Sequence, residues 1–315
     1  EGQLIFATVD QMLASFLNVP FGLPGKLDNI NAGAMIGSYL IFDEFHLYPR
    51  DQMMLTVLAM LTMLKDVSRF MLMSATFSPV FLQKIAEQLG ATALYDEPGT
   101  PPEQSHFKDV KSLNKTRVFV AHDNERLDVR AVQAQLGRRT LVICNTVDRA
   151  QALYRSLATE YQGTDVEIQL LHSRFYRNDR TEIENWVRGR FEKGNAEYDG
   201  PPTILVATQV IEVGLDITSD VLLTECAPAA SLSQRAGRCA RKQGETGEVH
   251  VYQPFDDDGT VNYAPYIDDG QEDICFKTWR ALTSDAFNGQ EMNFAREQQL
   301  VEAAHSAADE KLIAR

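Results

Sequence analysis

The chain predicts an α/β fold built from tandem doubly wound parallel sheets, and three observations carry that expectation. Short apolar runs without in/out alternation recur along its 315 residues, as strands covered on both faces require. Each run is followed by a polar turn and then a helical pattern, the order of a parallel α/β sheet. Residues 96–115, with Pro98, Gly99, Pro101 and Pro102, interrupt that rhythm and read as a linker between two lobes.

In chain order, strands are predicted at 38–42 and 69–73 in the first lobe, with helices at 52–64 and 79–89. The second lobe is predicted to hold strands at 140–144, 167–171, 203–207, 221–225 and 249–252. Its helices are predicted at 147–161 and 181–191, the latter opening on a capping box, Asp179-Arg-Thr-Glu182. Residues 1–95 thus form the C-terminal part of lobe 1 and 116–255 form lobe 2. Residues 256–315, which open on Asp256-Asp-Asp-Gly259, form an acidic, helical C-terminal extension. No internal repeat is visible.

A hydrophobic content of 44% and 9% aromatics describe a globular protein long enough for two cores. The formal charge of −14, taken as a sum, argues against nucleic acid, but its distribution matters more than its sum. Residues 1–115 hold 8 basic and 12 acidic side chains, 116–242 hold 17 of each, and 243–315 hold 5 and 15. The excess acid lies in the tail, which leaves room for a basic groove in the middle third. Cys144, Cys226, Cys239 and Cys275 lack the paired spacing of a zinc site and suit a reducing, cytoplasmic setting. The Met- and Leu-rich segment 52–64 is too short to cross a bilayer, so no membrane partner is expected, and no secretory signal is visible.

Two constellations carry chemistry. The run Tyr39-Leu-Ile-Phe-Asp-Glu-Phe-His46 ends a buried strand on carboxylates, where ligands gather in doubly wound sheets. Asp43 suits magnesium, Glu44 suits orienting and deprotonating water, and His46 suits the nucleotide side of the site. Ser74 and Thr76 follow the next strand, as coupling hydroxyls or as a helix cap before Pro79. In the second lobe, Gln234-Arg-Ala-Gly-Arg-Cys-Ala-Arg241 spaces cations to converge on one side of a short helix. Arg238 and Arg241 read as arginine fingers on a γ-phosphate, each kind worth roughly 10³–10⁵ in rate, with Gln234 as a nucleotide contact.

Between these, Ala207-Thr-Gln-Val-Ile-Glu-Val-Gly-Leu-Asp216 follows a strand. Thr208 and Gln209 are placed to touch a phosphate backbone, Gly214 permits close approach, and Asp216 suits an arginine or the nucleotide. Leu170-Leu-His-Ser-Arg-Phe-Tyr-Arg177 interleaves aromatic and basic residues, as single-stranded nucleic acid requires, with Arg174 on phosphate and Phe175 or Tyr176 beneath bases. The nucleic-acid set is Thr8, Asn145, Thr146, Arg174, Thr208 and Gln209. Each piece alone also reads as a strand end, a cap or a charged helix entry; the combination in this order points to an NTP-driven motor.

On these residues the chain resembles a superfamily 2 helicase with a DExH box, through Asp43-Glu-Phe-His46, Ser74-Ala-Thr76 and Gln234–Arg241. More narrowly, Ala7-Thr-Val-Asp-Gln-Met12, Leu171-His-Ser-Arg-Phe175 and Thr208–Asp216 resemble the helicase part of the CRISPR-associated helicase–nuclease of type I interference. The resemblance covers roughly residues 3–255. It implies RecA-like lobes, ATP and Mg²⁺ as cofactors, and translocation on single-stranded DNA. It implies recruitment by the RNA-guided surveillance complex Cascade and an HD-type nuclease, joined or separate, while base pairing reads the target. Two departures stand out: no Gly-x-x-x-x-Gly-Lys-Ser/Thr loop occurs, and no His-Asp cluster for a nuclease metal. The expectation is an N-terminally incomplete chain with an incomplete first lobe, unable by itself to hydrolyse ATP. A DExH RNA helicase and a non-catalytic fragment that binds nucleic acid or an assembly are the alternatives.

Overall fold

Parallel pairing of short apolar strands builds each of the two compact units into which the chain divides, Glu1–Leu94 with Asp309–Arg315, and Tyr95–Ala308. The computed structural model describes residues 4–19, 28–48, 52–74, 77–96, 104, 106, 116–192, 198–212, 214–241, 244–256, 258–268 and 270–313. Most of the expected linker lies outside the described residues, as does Thr76.

In the first unit, β1 (Tyr39–Phe42) pairs in parallel with β2 (Arg69–Leu72). Among the described residues, helices α1 (Val9–Phe16), α2 (Asp28–Met35), α3 (Met53–Leu64) and α4 (Pro79–Leu89) accompany them. Apolar residues at helical spacing on α3 (Met54, Val57, Leu58, Leu61 and Leu64) bury against Phe42, Phe45 and Phe81 to form the core. The limits of α4 follow from its ends. Ser78 Oγ accepts from the Phe81 N–H, Pro79 supplies a preset first turn, and Gly90 (φ 63°) adopts the left-handed stop.

The second unit is a seven-stranded sheet in the order β5-β6-β4-β7-β8-β3-β9. Its strands are β3 (Thr116–His122), β4 (Arg139–Ile143), β5 (Glu167–Leu171), β6 (Thr203–Ala207), β7 (Val221–Glu225), β8 (Thr246–Tyr252) and β9 (Gln290–Met292). All pairings are parallel except the edge pair β3–β9. Every residue of β4 and β6 is buried, as the continuous apolar runs required. Helices α5 (Val129–Ala134), α6 (Val147–Glu160), α7 (Arg177–Phe191), α8 (Ala229–Ala236), α9 (Gln271–Leu282) and α10 (Phe294–Ile313) complete the chain. Thus the architecture is the RecA-like α/β class.

Three expectations need correction. No strand was expected at 116–122 or 290–292, where β3 and β9 form. The acidic segment from 256 is no appendage: β9 joins the sheet, and Ile274, Cys275, Trp279, Leu282, Leu300 and Val301 lie in the unit's main core. Acidic residues on the solvent faces of α9 and α10 mask that buried stripe, and the buried Arg117–Glu297 pair (3.0 Å) ties α10 to β3. Finally, α7 begins at Arg177 after an N-cap at Tyr176 without a side-chain cap bond, so Asp179 sits inside the first turn and no capping box forms.

Candidate nucleotide and nucleic-acid sites

In the first unit, the register Phe42↔Leu72 brings the carboxyl ends of β1 and β2 side by side. Main-chain bonds continue past both strands, from Met73 N–H to Phe42 O (2.8 Å) and from Phe45 N–H to Met73 O (2.9 Å). Phe45 is 1% exposed and packs edge-on against Phe42, Tyr48 and Phe77, so the turn is anchored while Asp43 and Glu44 face solvent. Asp43 Oδ1 accepts the Glu44 N–H at 2.9 Å. Glu44 itself is left-handed (φ 49°, ψ 43°), a strained state for a residue with a Cβ, costing about 1–3 kcal/mol.

That turn aims Glu44 at His46: Oε2 lies 3.6 Å from Nε2, while Nδ1 meets Ser74 Oγ at 3.2 Å. Ser74 thus bonds the histidine beside Glu44. Burial, and then the neighbouring Asp43, push the Glu44 carboxyl above its usual range; the same causes raise Tyr48. Among the described residues no group of three or more His, Cys, Asp or Glu forms a metal cage. One exposed hard carboxylate beside a second fits magnesium that brings water and phosphate oxygens with it. It does not fit a structural zinc.

In the second unit, in-register parallel strands align Leu171, Ala207, Ile143 and Thr224 at one sheet edge. The loops leaving that edge carry Asn145, His172, Thr208 and Cys226. Their hub is Arg235, which the sequence reading did not single out as a site residue. It is 0% exposed and its guanidinium donates to Glu212 Oε1 (2.8 Å), Asn145 Oδ1 (2.9 Å), Thr224 Oγ1 (2.9 Å), Glu225 O (3.0 Å) and Tyr266 Oη (3.0 Å). Arg235 lies on the buried stripe of α8 with Ala229, Leu232 and Ala236, a helical spacing that was available as a signal. Glu225 is buried as well, its carboxylate held by the Asn145 N–H and by Arg149 Nε at 2.8 Å. Burial raises Glu225, against Arg149, Asn145 and Arg235, which lower it.

Several expected nucleic-acid contacts are engaged internally. The Asn145 carboxamide serves Arg235 and Cys226 O. Thr208 is 2% exposed, and Gln209 Nε2 donates to Asn145 O (2.6 Å). Thr8 and Thr146 cap α1 and α6 through bonds from Gln11 N–H and Arg149 N–H. Phe175 stacks on His172 at 4.2 Å and, partly buried, packs on the core. Tyr176 is 84% exposed, and Arg174 pairs with Asp148 at the surface (3.1 Å). Burial lowers His172, whose Nδ1 accepts the Arg174 N–H at 3.2 Å.

The arginine segment also departs from expectation, because α8 ends at Ala236 and Arg238 and Arg241 lie beyond it. A Cβ on Gly237 would meet Gln234 O at 2.9 Å, which reserves the exit turn for glycine. Ala240 is left-handed (φ 46°), and Ser219 bonds the main chain of Arg238 and Ala240 on either side. Arg238 donates to the carbonyls of Ile211 (3.0 Å) and Glu212, and Arg241 Nε pairs with Asp216 at 2.9 Å. Gly214 (φ 88°) turns the loop between those acceptors, and Gln234 lies on the last turn of α8.

Residues 136–244 match the family model described as "CRISPR-associated nuclease/helicase Cas3, C-terminal". The "CRISPR-associated endonuclease/helicase Cas3" of Escherichia coli K12 is 34% identical over 266 residues, covering 76% of this chain and 28% of that protein. The chain belongs to the Cas3 family. Its fold matches the crystal structure of T. fusca Cas3 with a TM-score of 0.71 at 23% identity, covering 96% of this chain and 39% of the other. Structures of T. fusca Cas3 with AMPPNP, ADP and ATP match likewise. A chain of a "CRISPR RNA-guided surveillance complex, pre-nicking" matches with a TM-score of 0.66 at 23% identity, covering 95% and 40%. The chain thus spans less than half the length of the Cas3 relatives it matches. Among the described residues no helix is long and apolar enough to cross a membrane.

Proposed function

We propose that this chain is motor sequence of an ATP-dependent single-stranded DNA translocase of CRISPR interference, working in the cytoplasm. The observation that carries the reading is the carboxylate pair at the end of parallel β1, with Glu44 strained toward His46 and Ser74 behind it. Bound Mg²⁺–ATP would supply the phosphoanhydride and the charge neutralisation. Asp43 holds the metal side, and Glu44 orients water and takes its proton, a task its raised carboxyl suits. His46 and Ser74 fix the direction of Glu44. Arg238 and Arg241 supply positive charge to the γ-phosphate, with Gln234 and Asp216 beside them. The nucleic acid runs along the loops at 172–177 and 208–209. A neighbour named as a CRISPR RNA-guided surveillance complex supports such a complex as partner, and a relative named endonuclease/helicase supports a nuclease, of the HD type in this reading, on the same or another chain.

The missing phosphate loop favours a second statement about these 315 residues alone: they bind nucleic acid without turning over ATP. Phosphate release from the purified chain with single-stranded DNA tests it, and robust turnover refutes it. Binding to matched DNA and RNA oligonucleotides tests the main reading; binding to RNA only would replace it with an RNA helicase.

A further inference from the structure

Both candidate fingers hang on the loop expected to meet nucleic acid. Arg238 donates to the carbonyls of Ile211 and Glu212, and Arg241 pairs with Asp216. Those acceptors continue directly from the 3₁₀ turn Gln209–Ile211, in which Ile211 N–H bonds Thr208 O and Glu212 N–H bonds Gln209 O. The same turn is closed inward at its other end, where Gln209 Nε2 bonds Asn145 O. By contrast, the main chain of the arginine segment is pinned elsewhere, to Thr218 and Ser219. Ser219 N–H bonds Arg238 O, Ala240 N–H bonds Ser219 O, and Arg241 N–H bonds Thr218 Oγ1. The backbone of the arginines is therefore fixed while their side chains depend on loop 208–216.

We propose that loop 208–216 stores Arg238 and Arg241, and that single-stranded nucleic acid engaging Thr208 and Gln209 releases them. For a strand to reach Gln209 it must displace the bond to Asn145, and the turn that then moves carries both carbonyls that hold Arg238. The Arg241–Asp216 pair is a weak member of the latch, with side chains 27% and 60% exposed, so a strand's binding energy suffices to open it. Linkage makes the device reciprocal: a latch that opposes strand binding must loosen when it is cut. Asp216 and Glu212 are then positioning residues that act through the arginines. This inference rests on the proposed function and adds how strand binding reaches the arginines.

The test is fluorescence anisotropy of a single-stranded DNA oligonucleotide with the purified chain and with Arg241→Gln, Asp216→Asn and the double variant. Arg241→Gln should tighten binding roughly two- to fivefold although it removes a positive charge, the span of one partly exposed ion pair. Asp216→Asn should tighten it similarly, and the double variant should add little, because both cut one latch. Arg241→Gln that weakens binding and lowers the salt slope by about one would make Arg241 a phosphate contact and overturn the latch. Additive single variants overturn it as well. As a second readout, guanidinium Nε–H resonances of Arg238 and Arg241 should exchange slowly in the free chain and faster with oligonucleotide; unchanged exchange refutes release. Failure of the unaltered chain to bind any oligonucleotide refutes the nucleic-acid reading, and with it the latch.

Discussion

Replacing Arg235 by Met removes the cation bonded to the buried Glu212 carboxylate and takes this donor from Asn145, Thr224, Glu225 O and Tyr266. Cutting one partner from a buried ion pair costs about 3–5 kcal/mol, since the other charge stays behind without water. A domain stability of about 5–15 kcal/mol makes that a large share. With a urea slope near 3 kcal/mol/M for a unit this size, the midpoint should fall by about 1–1.5 M. The chain's two tryptophans, Trp186 and Trp279, both lie in the second unit, so their fluorescence reports its unfolding alone. The loss should also depend on pH. Burial already raises Glu212, and Arg235 is what lowers it. Without Arg235 the folded carboxyl rises further, the folded state binds more protons than the unfolded one, and stability falls as pH rises through that window. The deficit should therefore be smaller near pH 5 than near pH 8. Glu212→Gln in the Arg235→Met background should recover part of it. A midpoint shift below about 0.3 M, or strictly additive single and double variants, would refute the hub.

Other outcomes follow from the same geometry. Glu44→Gly should relieve the left-handed strain and raise the first unit's stability by about 0.5–1 kcal/mol, read by hydrogen exchange of β1 and β2 amides, while a parent carrying it loses turnover. Because burial raises Glu44, the first unit should lose stability as pH rises from the unfolded carboxyl range through the raised value; Glu44→Gln should flatten that profile in a pH series of thermal melts. Gly247→Ala should cost about 1–3 kcal/mol in urea unfolding, since its Cβ would fall 2.5 Å from Cys239 Sγ and 2.9 Å from Ala240 Cβ. Tyr176→Ala should weaken single-stranded DNA binding by about 1–3 kcal/mol without changing the salt slope, whereas Phe175→Ala should chiefly destabilise the fold; anisotropy beside melting separates them.

Fold was legible wherever burial on both faces leaves an unbroken apolar run. Strands at 167–171, 203–207 and 221–225 and the helix at 79–89 stand where the sequence put them. The strand at 116–122 was hidden because it buries Arg117 and half-buries His122 alongside apolar residues, and their polar atoms are satisfied by partners far away in sequence. The strand at 290–292 buries one residue and exists through pairing with β3. In the sites, local motifs predicted which residues come together but not which way they face. Thr8 and Thr146 have the chemistry of caps as much as of phosphate contacts, and the structure uses them as caps. A ring next to basic residues suggested base stacking, yet Phe175 takes His172 as its partner.

Composition left room for a basic groove in residues 116–242, and tertiary structure narrows it. Among the described residues there, eight arginines sit in ion pairs: Arg117, Arg139, Arg149, Arg174, Arg180, Arg190, Arg235 and Arg241. Those near the candidate loops grade by exposure. Arg235–Glu212 (0% and 9%) and Arg149–Glu225 (20% and 6%) are scaffold, since breaking them strands a buried charge. Arg241–Asp216 (27% and 60%) and Arg174–Asp148 (64% and 81%) are held by little more than screened attraction. A bound strand can disturb only the second kind, taking Arg174 from Asp148 and parting Arg241 from Asp216 without itself becoming the partner of Arg241. The inner pairs therefore set the shape of the loops and the outer pairs are where a nucleic acid can compete, so the chain can carry a net negative charge and still bind phosphate.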